Sequence, residues 1–424
     1  MTKTGCVGAI MVTLLCSPAA NAEPVLTVSY SLPSNFKPAL EEIARRFEAE
    51  HPDVRIKMRA PLASFDDVVN DLLKSKLTGG APDIAFVGLS HAGLVAERGL
   101  AVPLDQLVQK EGGWSKLGYY SSILSLGAVA GRQYGVPFGL AVPVLHVNVD
   151  LVRRAGGSMD NFPSDWNGIA DLGQKISALD SKLAGFTFQY DAYSNWTLQA
   201  LIRGAGGRME APHGCGIGFD SPEGRWALET LQLFHDKGMP AMSWQQVLQA
   251  FSSGTIGISA ASSASISRLE TQIKTAFEYR TLPFPMTSAD GKLPAGGHMV
   301  IVSTSDPEKE QAAWDYVKFA TGPAAQTIMV QNSGLLPISQ RAAEDPALLG
   351  SFYKSHPNQA VALGQMSRLT DWYMWPGPNG LKITSVIQDH VDTIVTGKAS
   401  ARETIPKLAA AVSAMLPPCK AAAN

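Results

Sequence analysis

Residues 78–87 read Thr-Gly-Gly-Ala-Pro-Asp-Ile-Ala-Phe-Val. The glycine pair ends one element, Pro82 fixes a turn, and an apolar run of strand composition follows at once. This order predicts an amphipathic helix that stops where a buried parallel strand starts. Upstream, Val25 to Tyr30 alternates apolar and polar and forms a first strand. Leu40, Ile43, Ala44 and Phe47 recur at helical spacing in a helix opened by Pro38, behind the cap residues Ser34 and Asn35, and stopped by Pro52. Val54, Ile56 and Met58 alternate as a second strand, and Phe65 to Leu77 is a second helix. The resulting β-α-β-α-β order implies parallel strands with right-handed crossovers. Ligands in such sheets sit beyond the carboxyl ends of the strands, here the loops 61–65 and 88–91.

The chain has 424 residues, 45% hydrophobic and 17% charged, which is enough for two cores. Its net charge of −2 selects no partner, and no basic face for nucleic acid is present. Residues 1–22 read as a cleaved export signal. Lys3 gives a positive start, Val7 to Leu15 is apolar but too short to span a bilayer, and Ala20-Asn21-Ala22 precedes Glu23 as a small-residue cleavage site. Cys16 follows Leu15, where a lipid-anchor signal wants a small residue, so the expected product is soluble, exported and periplasmic. Cys215 and Cys419 remain after cleavage. A disulfide between them is permitted but not deducible, and neither has a second Cys or His at metal-ligand spacing that is more than a weak pair.

Further along, residues 133–150 contain two apolar strands with Gly139 and Pro143 between them, a pattern suited to a chain crossing between lobes. Phe219-Asp220-Ser221-Pro222-Glu223 opens a helix with a capping box. No phosphate-cradling Gly-x-x-x-x-Gly-Lys and no His-Glu-x-x-His occurs. Gly88-Leu89-Ser90-His91-Ala92 falls one glycine short of a nucleophile elbow. It supports an alternative reading, a secreted serine hydrolase using Ser90. Residues 371–380 hold Trp372, Tyr373 and Trp375 in a loop rich in proline and glycine. Such rings form either a stacking wall for a sugar or a cation, or a satellite hydrophobic cluster. Tyr190, Tyr193 and Trp196 carry the same two readings. Ser262 and Ser263 can hydrogen-bond a ligand or satisfy a turn, and Gly296 and Gly297 can bring backbone N–H groups close to an anion.

Gly-x-Ala-Pro-Asp-Ile at residues 79–84, the Phe219–Glu223 block, and Gly334-Leu335-Leu336-Pro337-Ile338 resemble the extracellular solute-binding proteins of ABC importers. Ser262-Ser263-Ala264-Ser265, Gly296-Gly297, Phe352-Tyr353 and Thr396-Gly397-Lys398 bring the resemblance nearest to the glycerol-3-phosphate-binding branch, over essentially the whole mature chain. The likeness implies a two-lobe α/β periplasmic-binding-protein fold. Each lobe is a mainly parallel sheet flanked by helices, and hinge-crossing segments join them. It places residues 23–140 and 260–325 in one lobe, and 141–259 and 326–424 in the other. It implies a monomer with no cofactor and no catalysis. That monomer holds a small carbohydrate or polyol-type solute in the cleft and delivers it to membrane permease subunits, or presents it to a receptor as a sensor.

By position, the branch's binding serine falls on Ser262 or Ser263 and its glycine on Gly296 or Gly297. Phe65 stands where the branch has a tyrosine, Leu89 beside Ser90 where it has a glutamate, Ala141 where it has a serine, and Leu335 where it has a second tyrosine. The expected site is therefore drier and more aromatic than the branch's own. It is completed by Tyr193, Trp196, Trp372, Tyr373 and Trp375.

Overall fold

The computed structural model describes residues 1–2, 24–192, 195–212, 216–304 and 306–418. Residues 3–23, which include most of the stretch read as an export signal, and Tyr193, Cys215 and Cys419 lie outside the described residues. Strand β1 (Val25–Ser29), helix α1 (Pro33–Glu50), β2 (Arg55–Met58), α2 (Phe65–Thr78) and β3 (Ile84–Gly88) follow in the expected order. β1 pairs in parallel with both β2 and β3. Ser64 and Asp67 close a capping box at the start of α2, and Gly79 and Gly80, both at φ 80°, end it. The carboxylate of Asp83, within the turn quoted above, accepts the Thr27 N–H at 2.8 Å and the Thr27 hydroxyl at 2.9 Å. It also faces the Lys309 ammonium at 3.3 Å. Asp83 thus fixes β3 against β1, and the positive φ of Gly79 and Gly80 before it is one that glycine adopts without steric cost. One expectation is corrected here. α1 begins at Pro33, not Pro38, so Ser34 and Asn35 lie inside its first turn and the left-handed Leu32 (φ 52°) precedes it.

The chain leaves this sheet by β4 (Val136–Ala141) and enters a second through β5 (Pro143–Asn148). The second sheet adds β6 (Ala184–Phe188), β7 (Ile256–Ser262) and β8 (Tyr279–Pro283) in the order β8-β5-β7-β6. β5 runs antiparallel to both of its neighbours, because it arrives from the other lobe, while β6 and β7 are parallel. Two short strands, β9 (Leu293–Pro294) and β11 (Leu369–Thr370), pair in parallel beside the return strand β10 (Gly296–Val302). β10 completes the first sheet, whose order is β2-β1-β3-β10-β4. The outgoing and returning crossings are tied together at one point. Ser263 N–H donates to the Val142 carbonyl at 2.9 Å, and Val142 N–H donates to Ser263 Oγ at 3.2 Å.

Each sheet carries its own core. Phe47, Phe86, Phe138, Trp314 and Tyr316 anchor the first, and Trp166, Phe186, Phe188, Phe234 and Phe284 the second. Pairing and packing depart from the expected lobe boundaries, most plainly in two stretches. Residues 279–283, read as first lobe, pair with β5 in the second sheet. Residues from Ile328 to Ala362, read as second lobe, pack in the first core. Buried Gln326 explains the latter: its amide donates to the Phe138 carbonyl at 2.7 Å and accepts Ile338 N–H at 2.9 Å, stapling the 323–338 segment to β4. Among the described residues no helix is long and apolar enough to cross a membrane.

Candidate functional site

Two adjoining cavities, of about 560 Å³ and about 130 Å³, lie between the lobes and share Trp372. The smaller is where the sequence candidates converge. Phe65 at the start of α2, Ala141 at the end of β4, Ser262 at the end of β7, and Gly296 and Gly297 at the start of β10 all line it. So do Leu335, Trp372, and Trp196, the first residue of the helix Trp196–Gly204. Loops at strand ends thus deliver these side chains to one place from both lobes, as open α/β sheets dispose them. Trp196 uses its indole N–H on the Pro294 carbonyl at 2.8 Å and tilts against Trp372 with ring centroids 6.2 Å apart. Ser262 Oγ accepts the Ala264 N–H at 3.2 Å, which leaves its own O–H to donate. Gly297 holds φ +105°, and a Cβ there would stand 2.1 Å from the Gly139 carbonyl. A Cβ on Gly296 would stand 2.7 Å from the Trp196 ring. The close approach of β4 and the indole therefore requires both glycines, whatever else they do.

Leu89, Ser90, Tyr373 and Trp375 line the larger cavity with Trp372. Two candidates are reassigned by their contacts. Ser263 is fully buried and tied to Val142 at the crossing. Trp375 is 3% exposed, and its ring packs edge-on against Phe219 (5.9 Å) and Tyr373 (5.2 Å) in the second core. For Trp375 the hydrophobic-cluster reading therefore carries most of the ring. Ser90 Oγ and His91 Nδ1 are both buried and neither has a hydrogen-bond partner. The Ser–His bond that an activated serine nucleophile needs is therefore not made, although His91 Nε2 sits 2.7 Å from Asp66.

Sequence reasoning missed Phe36, Gln189, Trp244 and Arg268 in the smaller cavity. Phe36 was hidden by the late start assigned to α1. Arg268 lies in the first turn of the helix Ile266–Ile273 that follows the Ser262–Ser265 stretch, and that placement is the signal that could have found it. Among the described residues the smaller cavity has Arg268 as its one charged residue and no carboxylate, whereas the larger holds Glu97, Arg98 and Asp371. Behind Phe36 and Phe65 stands His298, fully buried, with ring centroids 4.4 Å and 5.7 Å from theirs. Neither of its nitrogens has a partner, and burial pushes its pKa down to about 3. His146 on β5 lies 2.7 Å from the Tyr279 hydroxyl through Nδ1 and 3.2 Å from the Ser262 carbonyl through Nε2. A carbonyl only accepts, so Nε2 carries the proton and Nδ1 accepts from Tyr279. Burial pushes the His146 pKa down to about 4, against the opposing effect of the Ser262 carbonyl. Among the described residues no group of His, Cys, Asp and Glu is gathered to hold a metal ion.

A family model described as bacterial extracellular solute-binding protein matches residues 42–360. The sn-glycerol-3-phosphate-binding periplasmic protein UgpB of Escherichia coli K12 is 23% identical over 414 residues, covering 91% of each chain. Among solved structures, UgpB from Mycobacterium tuberculosis in complex with glycerophosphocholine superposes with a TM-score of 0.81 at 21% identity, over 91% of this chain and 97% of that one. The cyclic alpha-maltosyl-1,6-maltose binding protein from Arthrobacter globiformis superposes with a TM-score of 0.75 at 23% identity, over 92% and 98%. At such identities these likenesses describe a shared fold.

Proposed function

The chain belongs to the bacterial extracellular solute-binding proteins, and from that premise we propose that it is the periplasmic capture component of an ABC importer, closing on a glycerophosphodiester with a cationic head. The observation that carries this reading is the division of charge across the shared Trp372. On one side lie Arg268 and the Ser262 hydroxyl with no carboxylate among the described lining residues, and on the other two carboxylates, Glu97 and Asp371, with one guanidinium, Arg98, and the aromatic loop. A guanidinium suits a phosphate, and rings with nearby carboxylates suit an alkylammonium group. Phe65, Ala141, Trp196, Gly296, Gly297 and Leu335 would supply the dry walls. A solute that touches both lobes stabilises the closed form over the open one by that difference in contact. Closure would then present the loaded protein, as a monomer, to permease subunits.

Isothermal titration against glycerophosphocholine, sn-glycerol 3-phosphate and maltose tests this reading. Glycerophosphocholine is expected to bind most tightly, and tighter binding of maltose would move the assignment to a sugar. A panel in which nothing binds would remove the proposal. Trp372 is 7% exposed and reaches both cavities, so Trp372→Ala is expected to weaken glycerophosphocholine binding by about 1–3 kcal/mol. Unchanged affinity would take Trp372 out of the site.

A further inference from the structure

We infer that Gln199 and Arg203 are positioning residues that set the ligand-facing aromatic loop, an inference that rests on the cleft reading above. The loop from Asp371 to Trp375 has no helical or strand hydrogen bonds of its own. It is held instead from one face of the helix Trp196–Gly204, by side chains at i, i+3 and i+7. Trp196 meets Trp372 ring to ring. The amide of Gln199, 1% exposed, engages both backbone groups of one residue: Nε2 donates to the Tyr373 carbonyl at 2.9 Å, and Oε1 accepts the Tyr373 N–H at 3.1 Å. That is the pairing a neighbouring strand would supply, here provided by a side chain. Arg203, 8% exposed, then reaches Asp371 at 3.2 Å and Glu210 at 3.5 Å. One guanidinium between two carboxylates fixes the entry of the loop, and Ala295 N–H donating to the Thr370 carbonyl at 2.8 Å fixes the strand before it.

A residue held at both backbone groups has little freedom to rotate, so Trp372 and Tyr373 face the cleft with their ordering cost already met before a solute arrives. Gln199 is not in the lining of either cavity, so it acts on a solute only through the loop.

The test uses the full chain and glycerophosphocholine as the probe. Gln199→Met keeps the length of the side chain and removes both hydrogen bonds. It is expected to lower affinity about tenfold, the equivalent of one buried pair. In a Trp372→Ala background the same change is expected to cost clearly less than it does in the wild type, because one of the two rings it positions is gone. Amide hydrogen exchange at residues 371–375 of the solute-free protein is expected to quicken in the variant, while the core strands keep their protection. Wild-type affinity in Gln199→Met, losses that multiply in the double variant, or unchanged exchange would each overturn the inference. If Gln199→Met does not fold, Asp371→Asn serves, since that side chain is 60% exposed and the change surrenders the ion pair with Arg203. Quickened exchange over 371–375 would then support the inference, and unchanged exchange would overturn it. Should the wild-type protein bind no glycerophosphocholine, the cleft reading fails, while the exchange data still decide whether this helix holds the loop.

Discussion

Replacing Trp375 by alanine is expected to lower unfolding free energy by about 3–5 kcal/mol while leaving the folded protein's affinity for glycerophosphocholine within a few-fold. Trp375 lies only three residues from Trp372, yet the two rings do different work. Trp375 packs edge-on against Phe219 and Tyr373 and joins Ile383, Ile387 and Phe234 in the second core. Truncation removes the transfer energy of a large aromatic and leaves a void that a close-packed interior fills only in part. Chemical denaturation of the variant measures the loss, and titration of the refolded protein measures affinity. A variant of wild-type stability with strongly weakened binding would put the ring in the cleft instead. Paired with Trp372→Ala, the experiment separates wall from core within a single loop.

Acidification is expected to destabilise the protein steeply from about pH 6.5 downward, before most carboxylates titrate. His146 and His298 are both fully buried, with pKa values pushed down to about 4 and about 3. In the unfolded chain each takes a proton near the ordinary histidine value. Below that pH the unfolded state therefore binds more protons than the folded one, and stability falls with pH by up to about 1.4 kcal/mol per unit for each residue. The loss ends near pH 4 for His146 and near pH 3 for His298, where the folded forms protonate too. His298 is the cleaner probe because it has no hydrogen bond to lose. Phe36, Phe65, Phe86 and Phe138 surround it, so His298→Leu trades an unpaired polar ring for an apolar group. The thermal midpoints of wild type and variant, measured from pH 7.5 to 4, should diverge in the variant's favour as pH falls. Parallel curves would mean that His298 does not titrate on unfolding in this window.

Much of the site was legible because strand ends are legible. Alternation and helix spacing place the termini of β1 to β3, and the loops after them hold Phe65 and Leu89. The glycine pair at 296–297 and the serine stretch at 262–265 stand out by composition. Which way a residue faces was not legible. Ser262 and Ser263 are neighbours, and the crossing at Val142 turns one toward the cavity and the other into the hinge. Arg268 and Phe36 entered the site only through the placement of helix starts, which side-chain pattern fixes least well.

The sequence by itself determined the β-α-β-α-β start, because hydrophobic period and turn chemistry are local, and its motifs carried the resemblance that implied two lobes and the family. Tertiary structure alone decided which lobe owns residues 279–283 and 328–362, and which ring of the 371–375 loop packs in the second core. The reason is that an irregular loop has no period to read. Its side chains point where distant partners hold its backbone, and Gln199 holds Tyr373 from 174 residues away.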